Sequence, residues 1–276
     1  MAALDMEAEY NNRARVANSA EIMARWAKAS AQARRELAGE RDIPYGSKPR
    51  QVYDFYPASS GNNAPLAAYI HGGYWQRGHG SDYAFVAREL VARGVSVAIP
   101  SYSLCPDVRI ADIVAEIESL VAALWGRTKV RPVLIGHSAG GHLAASLMAG
   151  GSMEGVPRDL IKAAYALSGV YDLMPLVGTS LNEPLRLDEA AAKAVSPMFG
   201  RKPAVKGTFV AAAGGDESSE FIRQAHDFAK HWSNGGFTAE SAIIPGANHF
   251  TIVDELARPG SPMLDRIVAM AEDIAA

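Results

Sequence analysis

The 276-residue chain lacks the features that mark several large classes of protein. It has one cysteine, Cys105, so no intrachain disulfide can form, and a reducing, cytoplasmic setting is expected. No apolar run approaches the roughly 20 residues needed to cross a bilayer. Asp5, Glu7 and Glu9 precede any apolar stretch, the wrong charge order for a secretory signal. Lysine and arginine total 27 against 30 acids, and with a formal net charge of -3 no basic stripe is left to gather nucleic acid or an anionic membrane. No His, Cys, Asp or Glu cluster has metal-ligand spacing and no glycine loop has the phosphate-cradling pattern, so neither metal nor cofactor is expected. What remains is an ordinary soluble composition. A chain of this length buries roughly three quarters of its unfolded surface, enough to fold without a covalent staple.

Residues 1–45 read as a helical segment apart from the rest. Asn18 stands as an N-cap before Ser19 and Ala20, with Glu21 placed to reach back. Ile22, Trp26, Ala29, Ala33 and Leu37 recur at helical spacing, and Gly39 suits a C-cap. Such an amphipathic helix either packs on the main domain, residues 46–276, or forms part of a cap over a site. In that domain short apolar strands are predicted at 51–56, 66–70, 95–100, 130–135, 163–167, 209–213 and 239–244. Helices are predicted between them at 81–92, 110–125, 140–149 and 220–232, with a last one from 261 to the end. Ser59-Ser60-Gly61-Asn62-Asn63 reads as a turn between antiparallel strands. The alternation implies an α/β fold, a mostly parallel central sheet with helices on both faces and its site at the carboxyl ends of the strands. Residues 172–200 break the pattern with Pro175, Pro184 and Pro197 and a short helical piece at 188–194. They read as an insertion at the top of the sheet, where a lid or pocket wall would lie. Exposed helices at the sheet edge are consistent with a homodimer.

The strongest local signal is Gly136-His137-Ser138-Ala139-Gly140. It fits G-x-S-x-G, a serine on a strand-to-helix turn too tight for side chains on either side, and here a buried strand precedes it and a helix follows. The dipole at that helix N-terminus favours negative charge developing beside Ser138. A second signal, His71-Gly72-Gly73-Tyr74-Trp75, follows directly on a strand. Its glycines let backbone N–H groups approach a substrate oxygen, and the N–H groups of Gly73, Tyr74 and Ala139 are expected to form an oxyanion hole. His71 itself reads as a structural residue holding the loop.

The general base has to come from a loop after a late strand. His249 in Pro245-Gly246-Ala247-Asn248-His249-Phe250 is best placed among the seven histidines. His226 and His231 fall within a helix, His137 and His142 flank the serine, and His79 lies in a glycine-rich loop that could reach a pocket. The acid orienting the imidazole should follow the strand at 209–213, where Asp216 and Glu217 compete. Glu217, three residues beyond Gly214, is preferred, and Asp172 is an outside candidate. Three sets of parts in this chain order point to a serine hydrolase. A binding protein derived from such a fold would have lost one of them.

The chain resembles the α/β-hydrolase branch that contains the hormone-sensitive-lipase-like esterases and, more closely, the kynurenine formamidases. The branch is reflected in the Gly-Gly loop and in Tyr102-Ser103-Leu104-Cys105-Pro106. The closer likeness rests on the loop with its tryptophan, on Gly136 to Leu143, and on Ser168-Gly169-Val170-Tyr171-Asp172-Leu173. Ser196-Pro197 and the stretch from Glu217 to Gln224 add to it. Formamidases typically carry aspartate where this chain has Glu217, which both supports that position and marks a departure. The resemblance implies removal of an N-formyl or small acyl group from an aryl amine or alcohol, with short-chain carboxylester hydrolysis as the alternative. It does not fix the substrate. Tyr74 and Trp75 offer flat apolar surface for an aromatic leaving group, unless Trp75 is instead a core residue anchoring the loop, and Tyr171, Leu173 and Asn182 are expected to line the pocket from the insertion.

Overall fold

The computed structural model describes residues 4–59, 61, 63–150, 155–203, 205–233 and 237–275. Three helices come first: α1 (Met6–Tyr10), α2 (Asn12–Arg15) and α3 (Ser19–Glu36). Next are β1 (Glu40–Pro44), β2 (Val52–Tyr56), β3 (Leu66–Ile70), α4 (Ala87–Ala92), β4 (Ser96–Pro100) and α5 (Ile110–Thr128). The centre of the chain forms β5 (Pro132–His137), α6 (Ala139–Ala149) and β6 (Ala163–Leu167). The insertion holds α7 (Asn182–Leu185) and α8 (Glu189–Ala194), and the chain continues with β7 (Gly207–Gly214), α9 (Ser219–Trp232), β8 (Phe237–Ile244) and α10 (Pro262–Ala275).

Among the described residues eight strands form one sheet in the order β1-β2-β4-β3-β5-β6-β7-β8. β2 is antiparallel to both β1 and β4, and every pairing from β4 through β8 is parallel. The central strands β3 to β6 are buried along their whole length and mostly apolar, as a sheet covered on both faces requires. In β3, Leu66, Ala68 and Ile70 enter one core layer, while Ala67 and Tyr69 enter the other. α5, α6 and α9 fill the first layer through Ile113, Ile117, Leu143, Phe221 and Phe228. α3, α4 and α10 fill the second through Trp26, Leu90, Leu264 and Ile267.

α3 is therefore part of the core. Its buried residues, Ile22, Trp26, Ser30 and Ala33, follow the helical period. Arg34 reaches the buried Asp54 of β2 at 2.8 Å, and Trp26 donates its indole N–H to Asp254 at 2.7 Å. Asn18 precedes the helix without a side-chain cap. Gly39 does not cap the C-terminus: the chain leaves the helix at Leu37, and Gly39 packs where a Cβ would collide with the carbonyl of Phe55.

Three details differ from the sequence reading. β1 has no predicted counterpart, and it pairs with β2 inside the main sheet. β2 and β3 are not neighbours, because β4 lies between them, and Ser60 and Asn62 of the expected turn fall outside the described residues. The helix expected at 81–92 is a 3-10 segment, Gly80–Val86, running into the short α4. The last predicted helix reaches Ala275, and residue 276 lies outside the described residues. No described helix is long and apolar enough to cross a membrane.

Candidate active site

Ser138 sits between β5 and α6 with φ 55° and ψ -117°, a backbone conformation rare for a side-chain-bearing residue. The strain is tolerable because the surroundings fix it. A Cβ on Gly136 would fall on the carbonyl of Gly140, and one on Gly140 on the carbonyl of Ile70. The two glycines thus let the turn close on itself and let α6 start against the end of β3. Ser138 donates its N–H to Leu167 at 2.8 Å, and its side chain lines a cavity of about 660 Å³.

His249 lines the same cavity from the loop after β8. Asn248 shapes that loop, its Oδ1 accepting from the N–H groups of Phe250 and Thr251 at 2.9 and 3.0 Å. His249 Nδ1 lies 2.8 Å from Glu217 Oε2. The other carboxylate oxygen accepts the Ser168 hydroxyl at 2.5 Å and the Gly214 N–H at 2.6 Å. Glu217 is buried, and its carboxylate oxygens meet a hydroxyl, a backbone N–H and the imidazole, so neither is left without a partner. Asp216 is exposed, and its backbone N–H bonds to Ala247 at 3.0 Å.

The other histidines are committed elsewhere. Burial pushes His71 and His137 down to about 3 and His142 to about 4, so all three are neutral. His71 bonds to the Gly72 carbonyl at 2.7 Å and stacks on Tyr102 with ring centres 4.3 Å apart, a structural role. His137 donates to the backbone carbonyl of His249 at 2.8 Å, tying the serine turn to the histidine loop. His142 donates to the Val195 carbonyl at 2.7 Å, pinning the insertion to α6. His79 bonds to Ser81 at 2.9 Å, His226 bonds to Ser241 on the surface and His231 is exposed. Asp172 caps a local turn at Met174.

Beside Ser138 the loop after β3 runs through Gly73, Tyr74 and Trp75, all with positive φ. The Tyr74 hydroxyl donates to the Tyr10 carbonyl at 2.6 Å, which braces the loop against α1. The backbone N–H groups of Gly73, Tyr74 and Ala139 have no hydrogen-bond acceptor among the described residues. Unpaired N–H groups near a serine are what a developing oxyanion needs.

Tyr171, Leu173 and Asn182, expected at the substrate, lie elsewhere, and Trp75 takes the second of its two expected roles, in the core. Trp75 is wholly buried and meets His142 edge-on at 4.9 Å, because its left-handed backbone turns the ring into the core. Tyr171 is also wholly buried, stacked on Phe228 at 4.0 Å, and Leu173 is buried with it. Asn182 spends its amide on the insertion itself, donating to Val177 and Leu187 at 3.0 and 2.8 Å and accepting from Leu187 at 2.8 Å. Of the expected side chains Tyr74 does line the cavity. The insertion contributes Ser180, Leu181, Glu183 and Pro184 instead. The N-terminal segment supplies Asn12, Arg13, Met23 and Trp26, and Tyr83 and Phe250 complete the aromatic wall. Only the apolar stripe through Trp26 hinted at this in the sequence. No cluster of potential metal ligands occurs among the described residues.

A serine on a glycine-flanked strand-to-helix turn, crowning a parallel sheet beside an acid-paired histidine, is the arrangement of the α/β hydrolases, and the profile of the α/β hydrolase fold matches residues 67–252. A kynurenine formamidase from Danio rerio is 32% identical over 222 residues, covering 78% of this chain and 76% of that one. One from Drosophila melanogaster is 30% identical, covering 86% and 84%. A crystal structure assigned as a thioesterase from a Silicibacter species superposes with TM-score 0.85 at 31% identity, covering 99% and 100% of the two chains. The chain belongs to the kynurenine formamidase family of α/β hydrolases and is a hydrolase.

Proposed function

We propose that the protein removes a formyl or other small acyl group from an aryl amine or alcohol, acting as an arylformamidase on N-formylkynurenine or a close analogue. The observation that carries this reading is His249, paired with the buried Glu217 behind it, in the wall that also bears Ser138, beside N–H groups without acceptors among the described residues. Met23, Trp26, Tyr74, Tyr83 and Phe250 give the cavity an apolar, largely aromatic lining suited to an aryl leaving group. The names of the relatives supply the formamide.

In this mechanism Ser138 Oγ attacks the acyl carbon as its proton passes to His249 Nε2. Glu217 holds the Nδ1 proton and stabilises the imidazolium. The N–H groups of Gly73, Tyr74 and Ala139 take the oxyanion. His249 then protonates the departing amine, water attacks the acyl-enzyme through the same base, and the small acid leaves. The reading includes a small-molecule substrate and a cytoplasmic setting, the latter supported by a single, buried cysteine.

Short-chain ester or thioester hydrolysis is the second reading, favoured by the Silicibacter neighbour. The deciding experiment compares N-formylkynurenine with a chain-length series of p-nitrophenyl esters, using Ser138→Ala as the blank. A kcat/KM for the formamide orders of magnitude above the best ester supports the first reading. Turnover of short esters alone supports the second. Undiminished turnover by Ser138→Ala overturns both.

A further inference from the structure

The cavity is far larger than a formyl or acetyl group, so most of its wall must serve the leaving group. One part of that wall is oddly furnished. Asn12 is 4% exposed, yet neither atom of its side-chain amide has a hydrogen-bond partner among the described residues. Buried polar groups are nearly always paired, and an unpaired one at a cavity wall calls for an explanation. Arg13 follows it, and Arg77 approaches from the loop that carries Gly73 and Tyr74. Among the described residues neither arginine is ion-paired, and the one side-chain partner of Arg13 is the sulfur of Met23 at 3.5 Å. Farther along, Arg25 and Arg34 are matched to Asp254 and Asp54. Two carboxylates at the same cavity, Asp82 and Glu183, pair with neither Arg13 nor Arg77. Both arginines stand at the exposed rim of the cavity, and Arg13 has its pKa lowered, first by partial burial and then by repulsion from Arg77, so the two guanidiniums share one electrostatic neighbourhood that an anion would relieve.

We infer that Arg13, Arg77 and the Asn12 amide form a carboxylate subsite, so that the preferred substrate bears its small acyl group at Ser138 and a carboxylate on the aryl leaving group. Planar guanidiniums suit a carboxylate, and the amide N–H supplies a further donor. The subsite joins the N-terminal segment to the oxyanion loop, and binding there orients the scissile carbonyl. This inference rests on the reading of the Ser138 cavity as the hydrolytic site.

The test measures kcat/KM on two matched pairs, N-formylkynurenine with its methyl ester and 4-acetoxybenzoate with its methyl ester. Wild type is expected to favour the acid in each pair. Arg13→Gln and Arg77→Gln should each lower the acid-to-ester ratio about tenfold, chiefly through KM, and the double variant should abolish it. Arg77→Lys should restore part of the ratio, and Asn12→Leu should lower it by a smaller factor. Damage to the fold would lower both members of a pair together and leave the ratio standing. A ratio near one in wild type, or one unchanged in the double variant, overturns the subsite. If the formamide pair is inert while the acetoxy pair shows the expected ratios, the formamidase reading fails and the subsite stands. If formamides turn over with a flat ratio, the reverse holds.

Discussion

Glu217→Gln is the sharpest perturbation of the proposed chemistry, because the replacement has nearly the same shape and every partner of the carboxylate is a donor. Oε1 accepts from the Ser168 hydroxyl at 2.5 Å and from the Gly214 N–H at 2.6 Å, and Oε2 faces His249 Nδ1 at 2.8 Å. A glutamine can keep the first two bonds by placing its oxygen where Oε1 lies. Its NH₂ then faces His249 Nδ1, which must become the acceptor and move the ring proton to Nε2. That tautomer cannot take a proton from Ser138, and the imidazolium also loses its counter-charge. The same carboxylate-to-amide change in the serine-histidine-aspartate template costs about 10⁴ in kcat, or roughly 5.5 kcal/mol of barrier. The expected result here is a fall in kcat of about 10³ to 10⁴ with KM little changed. The first two hydrogen bonds survive and the third re-forms with its direction reversed, so unfolding free energy should drop by only about 1 kcal/mol. Steady-state kinetics and urea unfolding of the same preparation separate the two effects. Glu217→Gln with kcat within about threefold of wild type, alongside an inactive Asp216→Asn, would refute the reasoning and move the acid to Asp216.

The remaining expectations concern the scaffold. Gly140→Ala places a methyl on the Ile70 carbonyl, so it should destabilise by more than about 3 kcal/mol by chemical unfolding, and a near-neutral result would contradict the close packing of α6 on β3. His71, His137 and His142 are held neutral by burial at about 3, 3 and 4, whereas in the unfolded chain each titrates near its ordinary value of 6.5. The unfolded state therefore takes up protons that the folded state refuses. Stability should be full above about pH 7 and fall on acidification by up to about 4 kcal/mol per pH unit, and flat urea midpoints down to about pH 5 would contradict this. Trp75→Phe should cost about 1–3 kcal/mol of stability with KM within about twofold of wild type, whereas a raised KM at unchanged stability would return Trp75 to the substrate.

These residues also show where sequence reasoning succeeds and fails. The turn at Ser138 was legible because its determinants are neighbours: an apolar strand, two glycines and a helix within a few residues. Glu217 was approachable for the same reason, since its offset from Gly214 is local and Gly214 itself donates to it. Tyr171 misled, and Trp75 could be read either way, because adjacency in sequence says little about direction. Trp75 has φ 56° and turns inward, and Tyr171 finds Phe228, which lies on α9 far along the chain. β1 left no signal, since Glu40-Arg41-Asp42-Ile43-Pro44 is a polar edge strand whose burial never exceeds intermediate. Asn12 and Arg13 were invisible as cavity residues, being placed there only by the packing of α1 to α3. Tyr10 anchors that packing through bonds to Glu220 at 2.9 Å and Gln224 at 2.7 Å.

The most direct test of the account is to treat the protein with a fluorophosphonate and map the adduct by peptide mass spectrometry while following hydrolysis of an aryl ester or formamide. A single adduct on Ser138, with activity lost in proportion to labelling and labelling strongly slowed in His249→Ala, is the expected result. Full activity after stoichiometric labelling of Ser138, or inactivation that tracks an adduct on another residue, would contradict it.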